Sequence, residues 1–95
     1  MSDLTPLRIG MLSFAHGHAY SYAASLLRLP AVQLVGIYDA DAARGREAAT
    51  RYSTAYFATA EALLNESLDG VIICSENALH APLVHLAAGK VRAIL

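Results

Sequence analysis

Arg8-Ile9-Gly10-Met11-Leu12-Ser13-Phe14-Ala15-His16-Gly17-His18 is the stretch on which the reading of the fold turns. The apolar run from Leu7 to Leu12 is too short for a helix and leads straight into a tight turn, so Arg8 to Leu12 reads as a buried parallel strand. From about Gly17 to Arg28, the residues Ala19, Tyr22, Ala23, Leu26 and Leu27 recur at helical spacing, and Pro30 stops the helix. Val32 to Tyr38 is a β-branched run bounded by Pro30 and Asp39, which makes a second strand. Strand, turn, helix, strand and acid in that order form the plan of a dinucleotide-binding unit. Amides at the start of the helix hold a pyrophosphate there, and the carboxylate bonds the adenosine ribose.

A GxGxxG turn uses its glycines for the bend, for backbone approach to pyrophosphate and for packing of helix on strand. Aligned by the strand end, those places fall on Ser13, Ala15 and His18, with Gly17 beside the last to relieve crowding. Ser13 and Ala15 are small enough to keep much of the approach; the other reading is an ordinary βα loop that binds nothing. Asp39 follows Ser13 by 26 positions, compatible with the ribose acid of such units. Its charge would accept from both ribose hydroxyls and repel a 2′-phosphate, favouring NAD over NADP. A polar strand end, or an N-cap shared with Asp41, accounts for it equally well. Arg44 reads as an exposed helix arginine, with a 2′-phosphate as the other partner it could take.

Beyond Asp39, Asp41 is placed to cap a helix through Tyr52 whose inner face is Gly45, Ala48, Ala49 and Tyr52. Ala55-Tyr56-Phe57 is a third strand, Thr59 caps a short helix from Ala60 to Leu64, and Gly70 to Cys74 is a fourth strand. A helix from about His80 to Ala88 carries Pro82 in its first turn and ends at Gly89, and Val91 to Leu95 begins a fifth strand. Strands alternating with helices at this spacing predict an α/β fold: a Rossmann-like, doubly wound parallel sheet with right-handed crossovers, one domain over residues 1–95, incomplete at its C-terminal end.

Cys74-Ser75-Glu76-Asn77 closes the fourth strand at the carboxyl edge, where ligands of open α/β sheets bind. Ser75 and Asn77 could hydrogen-bond a cofactor there, and Asn77 could equally serve as a turn or cap residue. Cys74 reads as a small hydrophobe rather than a nucleophile. His16, His18 and His80, with Cys74 as a fourth candidate, would lie at the same edge, but no HExxH or paired CxxC spacing accompanies them, so no metal is expected. His85 is read as a partly buried packing histidine.

The net charge of −1 leaves no electrostatic footprint for nucleic acid or an anionic membrane. No apolar run approaches the roughly 20 residues that span a bilayer. Met1 to Pro6 has no secretory pattern, and the single cysteine fits a reducing cytoplasm. Apolar residues make up 56% of the chain. That richness suits a parallel sheet covered on both faces. It also suits a surface for another chain, and the unfinished fifth strand offers an open edge for a homo-oligomer or partner.

Arg8-Ile9-Gly10, Leu34-Val35-Gly36-Ile37-Tyr38-Asp39 with Asp41, Leu68-Asp69-Gly70-Val71-Ile72-Ile73, Asn77 with His80, and Ala87-Ala88-Gly89-Lys90 together resemble the N-terminal domain of the glucose–fructose oxidoreductase, inositol dehydrogenase and rhizopine-catabolism (Gfo/Idh/MocA) family. The resemblance implies that Ser13, Phe14, Ala15 and His16 line the pyrophosphate and that Asp39 meets the ribose. Ser75 and Asn77 would lie along the nicotinamide half, with His80 at the rim of the active site. Ser13 and Ala15 replace glycines of the family pattern, and Glu76 stands where proline is usual. Family members continue through Glu-Lys-Pro, whose lysine assists proton transfer, into a substrate domain. Neither has a counterpart in these 95 residues, and Lys90 is no substitute. What is implied is an NAD(P)-binding domain with no catalytic residue of its own. The full-length form would move hydride between nicotinamide and a sugar, polyol or related hydroxyl compound. The alternative is a non-catalytic nucleotide-binding or interaction module that pairs with another chain.

Overall fold

Five parallel strands, β1 (Leu7–Phe14), β2 (Val32–Tyr38), β3 (Ala55–Phe57), β4 (Gly70–Cys74) and β5 (Ala93–Ile94), form one sheet in the order β3-β2-β1-β4-β5. They alternate with α1 (His18–Leu27), α2 (Ala42–Arg51), α3 (Ala60–Leu64) and α4 (Asn77–Ala87). The computed structural model describes residues 6–15, 17–75 and 77–95, residues 77–80 by their backbone alone.

Side chains alternate across a strand, and here both faces are covered, so neighbouring residues enter different cores. Met11, Ile37, Ile72 and Cys74 pack with Ala19 and Ala23 of α1 and Ala48 and Ala49 of α2. Leu12, Val71 and Ile73 pack on the opposite face with Leu63 and Leu64 of α3 and Ala87 of α4. This two-sided burial accounts for much of the apolar richness. Some remains outside: Tyr22 is 46% and Leu95 77% exposed. With Ile72 and Ile73 they line an open apolar depression of about 350 Å³.

Caps fall where the sequence puts them. The Asp41 carboxylate accepts from the Arg44 amide at 3.1 Å, and the Thr59 hydroxyl from the Ala62 amide at 3.1 Å, each worth about 1 kcal/mol to its helix. Gly89, at φ +83°, follows the end of α4 in the left-handed conformation that suits glycine.

Four expectations are corrected. β1 does not stop at Leu12 but runs through Ser13 to Phe14. Helix α4 begins at Asn77, not near His80, so Pro82 lies inside it and removes one i→i−4 bond. β5 is only Ala93–Ile94, though bonds from the Leu95 amide to the Val71 carbonyl (2.9 Å) and from the Ile73 amide to the Leu95 carbonyl (3.0 Å) prolong its pairing. His85 is exposed rather than partly buried. Among the described residues, no helix is long and apolar enough to cross a membrane.

Candidate functional site

β1, β2 and β4 end side by side at Phe14, Tyr38 and Cys74. From there α1 leaves toward one face of the sheet and α4 toward the other, as their packing in separate cores shows. This is a topological switch point, where open α/β sheets bind ligands at the carboxyl ends of the strands.

Ser13 shapes that edge. It has φ +81° and is buried, and the β1–β4 register slips between Leu12 and Phe14. The resulting bulge reverses side-chain parity, so Phe14 joins Met11 in the α1/α2 core. There its ring meets Tyr20 edge-on at 5.0 Å and lies 6.1 Å from Tyr52. Only the backbone of Phe14 faces the edge, and its amide is engaged: it donates to Asp39 Oδ2 at 2.8 Å. The Ala15 amide donates to Ser13 Oγ at 3.1 Å. The Phe14 and Ala15 amides are thus bonded within the chain.

At α1, Gly17 is the N-cap and makes no side-chain cap bond. A Cβ there would meet nothing within 4 Å, so Gly17 does not relieve crowding. Close packing of α1 on the sheet comes instead from the fully buried Ala19 and Ala23.

Asp39 is 1% exposed, and its carboxylate accepts four bonds. Oδ2 takes the Phe14 amide (2.8 Å) and Arg44 Nε (2.7 Å), while Oδ1 takes the Asp41 amide (2.9 Å) and Arg44 Nη2 (2.7 Å). Burial alone would raise this carboxyl. The Arg44 hydrogen bonds, the Asp41 and Phe14 amides and the Arg44 charge together outweigh it and hold the group below its ordinary value. Arg44 is therefore not the exposed helix arginine expected from the sequence: its side chain is 30% exposed and forks onto Asp39. The expectation of NAD over NADP assumed an open carboxylate at the tip of β2, and this one is covered.

Ser75, past the end of β4, is buried, and its hydroxyl has no hydrogen-bond partner among the described residues. A buried hydroxyl left without a partner costs about 1–3 kcal/mol and calls for a reason. Beside the turn, Ser13, Tyr38, Ala40, Pro82 and Leu83 line a cavity of about 90 Å³ between the tip of β2 and α4. Burial first, then the neighbouring Tyr56, Asp39 and Glu61, raise the Tyr38 phenol and keep it protonated. Burial likewise raises the Cys74 thiol, in keeping with a packing role.

The structure thus brings together Ser13, Phe14, Ala15, Asp39 and Ser75. Asn77 and His80 are placed in α4 by backbone only, and His16 lies outside the described residues, as do the His16 and His80 side chains of the metal grouping. His18 is exposed, its ring 6.3 Å from that of Tyr22. Sequence reasoning missed the cavity residues Tyr38, Ala40, Pro82 and Leu83, and the pairing of Arg44. For Arg44 a signal was present: it follows the Asp41 cap by three residues, which turns it back over the strand tip.

A family model described as "Oxidoreductase family, NAD-binding Rossmann fold" (GFO_IDH_MocA) matches residues 8–95. Among solved structures, UDP-N-acetylglucosamine 3-dehydrogenase GnnA from Acidithiobacillus ferrooxidans is 30% identical with a TM-score of 0.74, the match covering 93% of this chain and 28% of that one. A protein from Desulfitobacterium hafniense, provisionally described as an NADPH-dependent oxidoreductase, is 28% identical with a TM-score of 0.83 over 94% of this chain and 26% of that one. A Sinorhizobium meliloti protein, provisionally described as a myo-inositol dehydrogenase, is 27% identical with a TM-score of 0.81, covering 93% and 26% respectively. The chain spans about a quarter of the length of these solved relatives. No curated protein matches it.

Proposed function

Because the chain belongs to the Gfo/Idh/MocA oxidoreductase family, as its NAD-binding Rossmann domain, we propose that it holds a nicotinamide dinucleotide across the β1–β4 switch point for hydride transfer. The transfer would involve a sugar, polyol or related hydroxyl compound, with substrate-binding and proton-transfer groups supplied from outside these 95 residues. The observation that carries this reading is Ser75: a buried hydroxyl with no partner among the described residues, at the carboxyl edge of the sheet. When bound, the nicotinamide ring supplies the hydride acceptor or donor.

The chain's own residues divide the work of binding. The first turn of α1, whose cap residue contributes no side chain, directs backbone amides and the positive end of the helix dipole at the pyrophosphate. Ser13, held at positive φ, takes the place of the first glycine and sets the bend. Phe14 and Ala15 serve the site by fixing the turn rather than by donating to phosphate, since their amides are already engaged. His16, which lies outside the described residues, is proposed from the family resemblance alone as a further pyrophosphate residue. Tyr38, Ala40, Pro82 and Leu83 offer the adenine an apolar slot, and Asp39 with Arg44 faces the ribose. Ser75 and Asn77 bond the nicotinamide half, with His80 at the rim. Sugar-related substrates are supported by the names of two relatives, a UDP-N-acetylglucosamine dehydrogenase and the provisional inositol dehydrogenase. A cytoplasmic location accords with nicotinamide chemistry and the single buried thiol.

Calorimetry of the chain with NAD⁺, NADH, NADP⁺ and NADPH tests the proposal. Binding in the micromolar to millimolar range, weakened several-fold by Ser75→Ala with the melting temperature retained, is expected. No heat with any of the four at millimolar concentration would refute it.

A further inference from the structure

The Asp39 carboxylate has room for about four hydrogen bonds, two at each oxygen. All four places are filled. Two donors, the Phe14 and Asp41 amides, are backbone groups fixed by the β1 turn and by the start of α2. The other two belong to Arg44, whose side chain is 30% exposed and is the one donor that can leave by changing rotamer. A ribose hydroxyl can therefore donate to Asp39 only after Arg44 gives way. A 2′-phosphate has no such need: it carries acceptors and meets a guanidinium, while the Asp39 charge that would repel it is already neutralised in the pair.

We infer that Arg44, by covering Asp39, is the residue that reads the 2′ position of the adenosine ribose, and that this chain takes the 2′-phosphorylated dinucleotide at least as well as the unphosphorylated one. The inference rests on the dinucleotide site proposed above and reverses the preference that Asp39 alone suggests. Asp39 becomes a preorganising group: it holds the guanidinium in place and anchors the turn through Phe14. A neighbouring arginine is the general Rossmann solution for a 2′-phosphate, and an uncovered acid the solution for a free hydroxyl. Here both residue types are present, and their bidentate pairing at 2.7 Å decides between them.

Two measurements test this. On the unaltered chain, adenosine 2′,5′-bisphosphate is compared with AMP, and NADP⁺ with NAD⁺, by calorimetry at low salt. The phosphorylated member of each pair is expected to bind as tightly or more tightly, with the steeper loss of affinity on adding salt. Then Arg44→Ala, which keeps the Arg44 backbone bond to Asp41, removes the cover. It should weaken NADP⁺ by about ten- to a hundredfold, the range for charge-assisted bonds to phosphate, and move the ratio of NADP⁺ to NAD⁺ affinity toward NAD⁺ as the carboxylate opens. Arg44→Lys, which retains charge without the fork, should fall between. Binding of NAD⁺ with NADP⁺ much weaker on the unaltered chain, or an Arg44→Ala variant whose preference is unmoved, overturns the role of Arg44 while leaving the dinucleotide site standing. Failure of every nucleotide to bind overturns both. The comparison on the unaltered chain decides the matter even where the alanine variant does not fold.

Discussion

Substitution of Ser13 separates backbone strain from hydrogen bonding by the sign of a single difference. Ser13 holds φ at +81° and accepts the Ala15 amide at 3.1 Å. Ser13→Ala loses that bond, about 0.5–1.5 kcal/mol, and keeps the strain of a β-carbon in the left-handed region. Ser13→Gly loses the same bond but sheds about 1–2 kcal/mol of strain, set against about 0.4–1 kcal/mol for the extra freedom glycine gives the unfolded chain. The bond cancels between the two variants, so the glycine chain should be the more stable by about 0.5–1 kcal/mol. For a domain of this size, that is several degrees in melting temperature. Urea unfolding followed by far-ultraviolet circular dichroism measures it, provided the slopes with denaturant match. Were φ negative, alanine would win by about 0.4–1 kcal/mol instead. An alanine variant as stable as the glycine variant, or more so, refutes both the bulge at Ser13 and the account of how Phe14 reaches its core.

Three further outcomes are expected. Gly45→Ala drives a Cβ to 2.5 Å from the Tyr56 ring and 2.9 Å from the Asp39 Cβ, so it should cost about 1–3 kcal/mol and weaken dinucleotide binding, whereas Gly17→Ala, with nothing within 4 Å, should move stability by no more than about 1 kcal/mol; equilibrium unfolding of the pair checks the contrast. The folded Asp39 pKa lies below its ordinary value of 3.8, so its contribution is fully present above that pH and is lost as pH falls through the lowered value. The stability gap between the natural chain and Asp39→Asn should therefore shrink below about pH 4, and a gap constant from pH 7 to 2.5 contradicts the pairing. Cys74, buried and with its thiol pushed up, should resist iodoacetamide at pH 8 in the native state and react in urea, as mass spectrometry of the alkylated chain will show.

Local signals were the legible ones. Val32–Tyr38, the caps at Asp41 and Thr59 and the glycine after α4 each depend on chemistry within a few residues, and each stands where the sequence puts it. The sheet class followed from the alternation of those elements. What stayed hidden depends on parity and reach. Serine at positive φ carries no distinctive signature, so the extra residue in β1 was invisible, and with it the burial of the Phe14 ring. Pro82 looked like a helix start because proline favours the first turn, yet α4 begins at Asn77 and tolerates the missing bond. Arg44 reads as surface by composition; its place three residues after the Asp41 cap hints at a turn back over the tip of β2, but the fork onto Asp39 depends on how α2 lies there.

The bond from the Phe14 amide to Asp39 joins two stations of the proposed site that a ligand would touch separately. A ligand that draws Arg44 toward the ribose shifts the carboxylate it grips and with it the hold on the turn, and a pyrophosphate that braces the turn stiffens the carboxylate. Binding free energies at the two stations are therefore linked and, by reciprocity, equally so in both directions. Fragments such as adenosine and pyrophosphate will not sum to the affinity of the whole dinucleotide, and the discrepancy measures how rigidly that one hydrogen bond couples the strand ends.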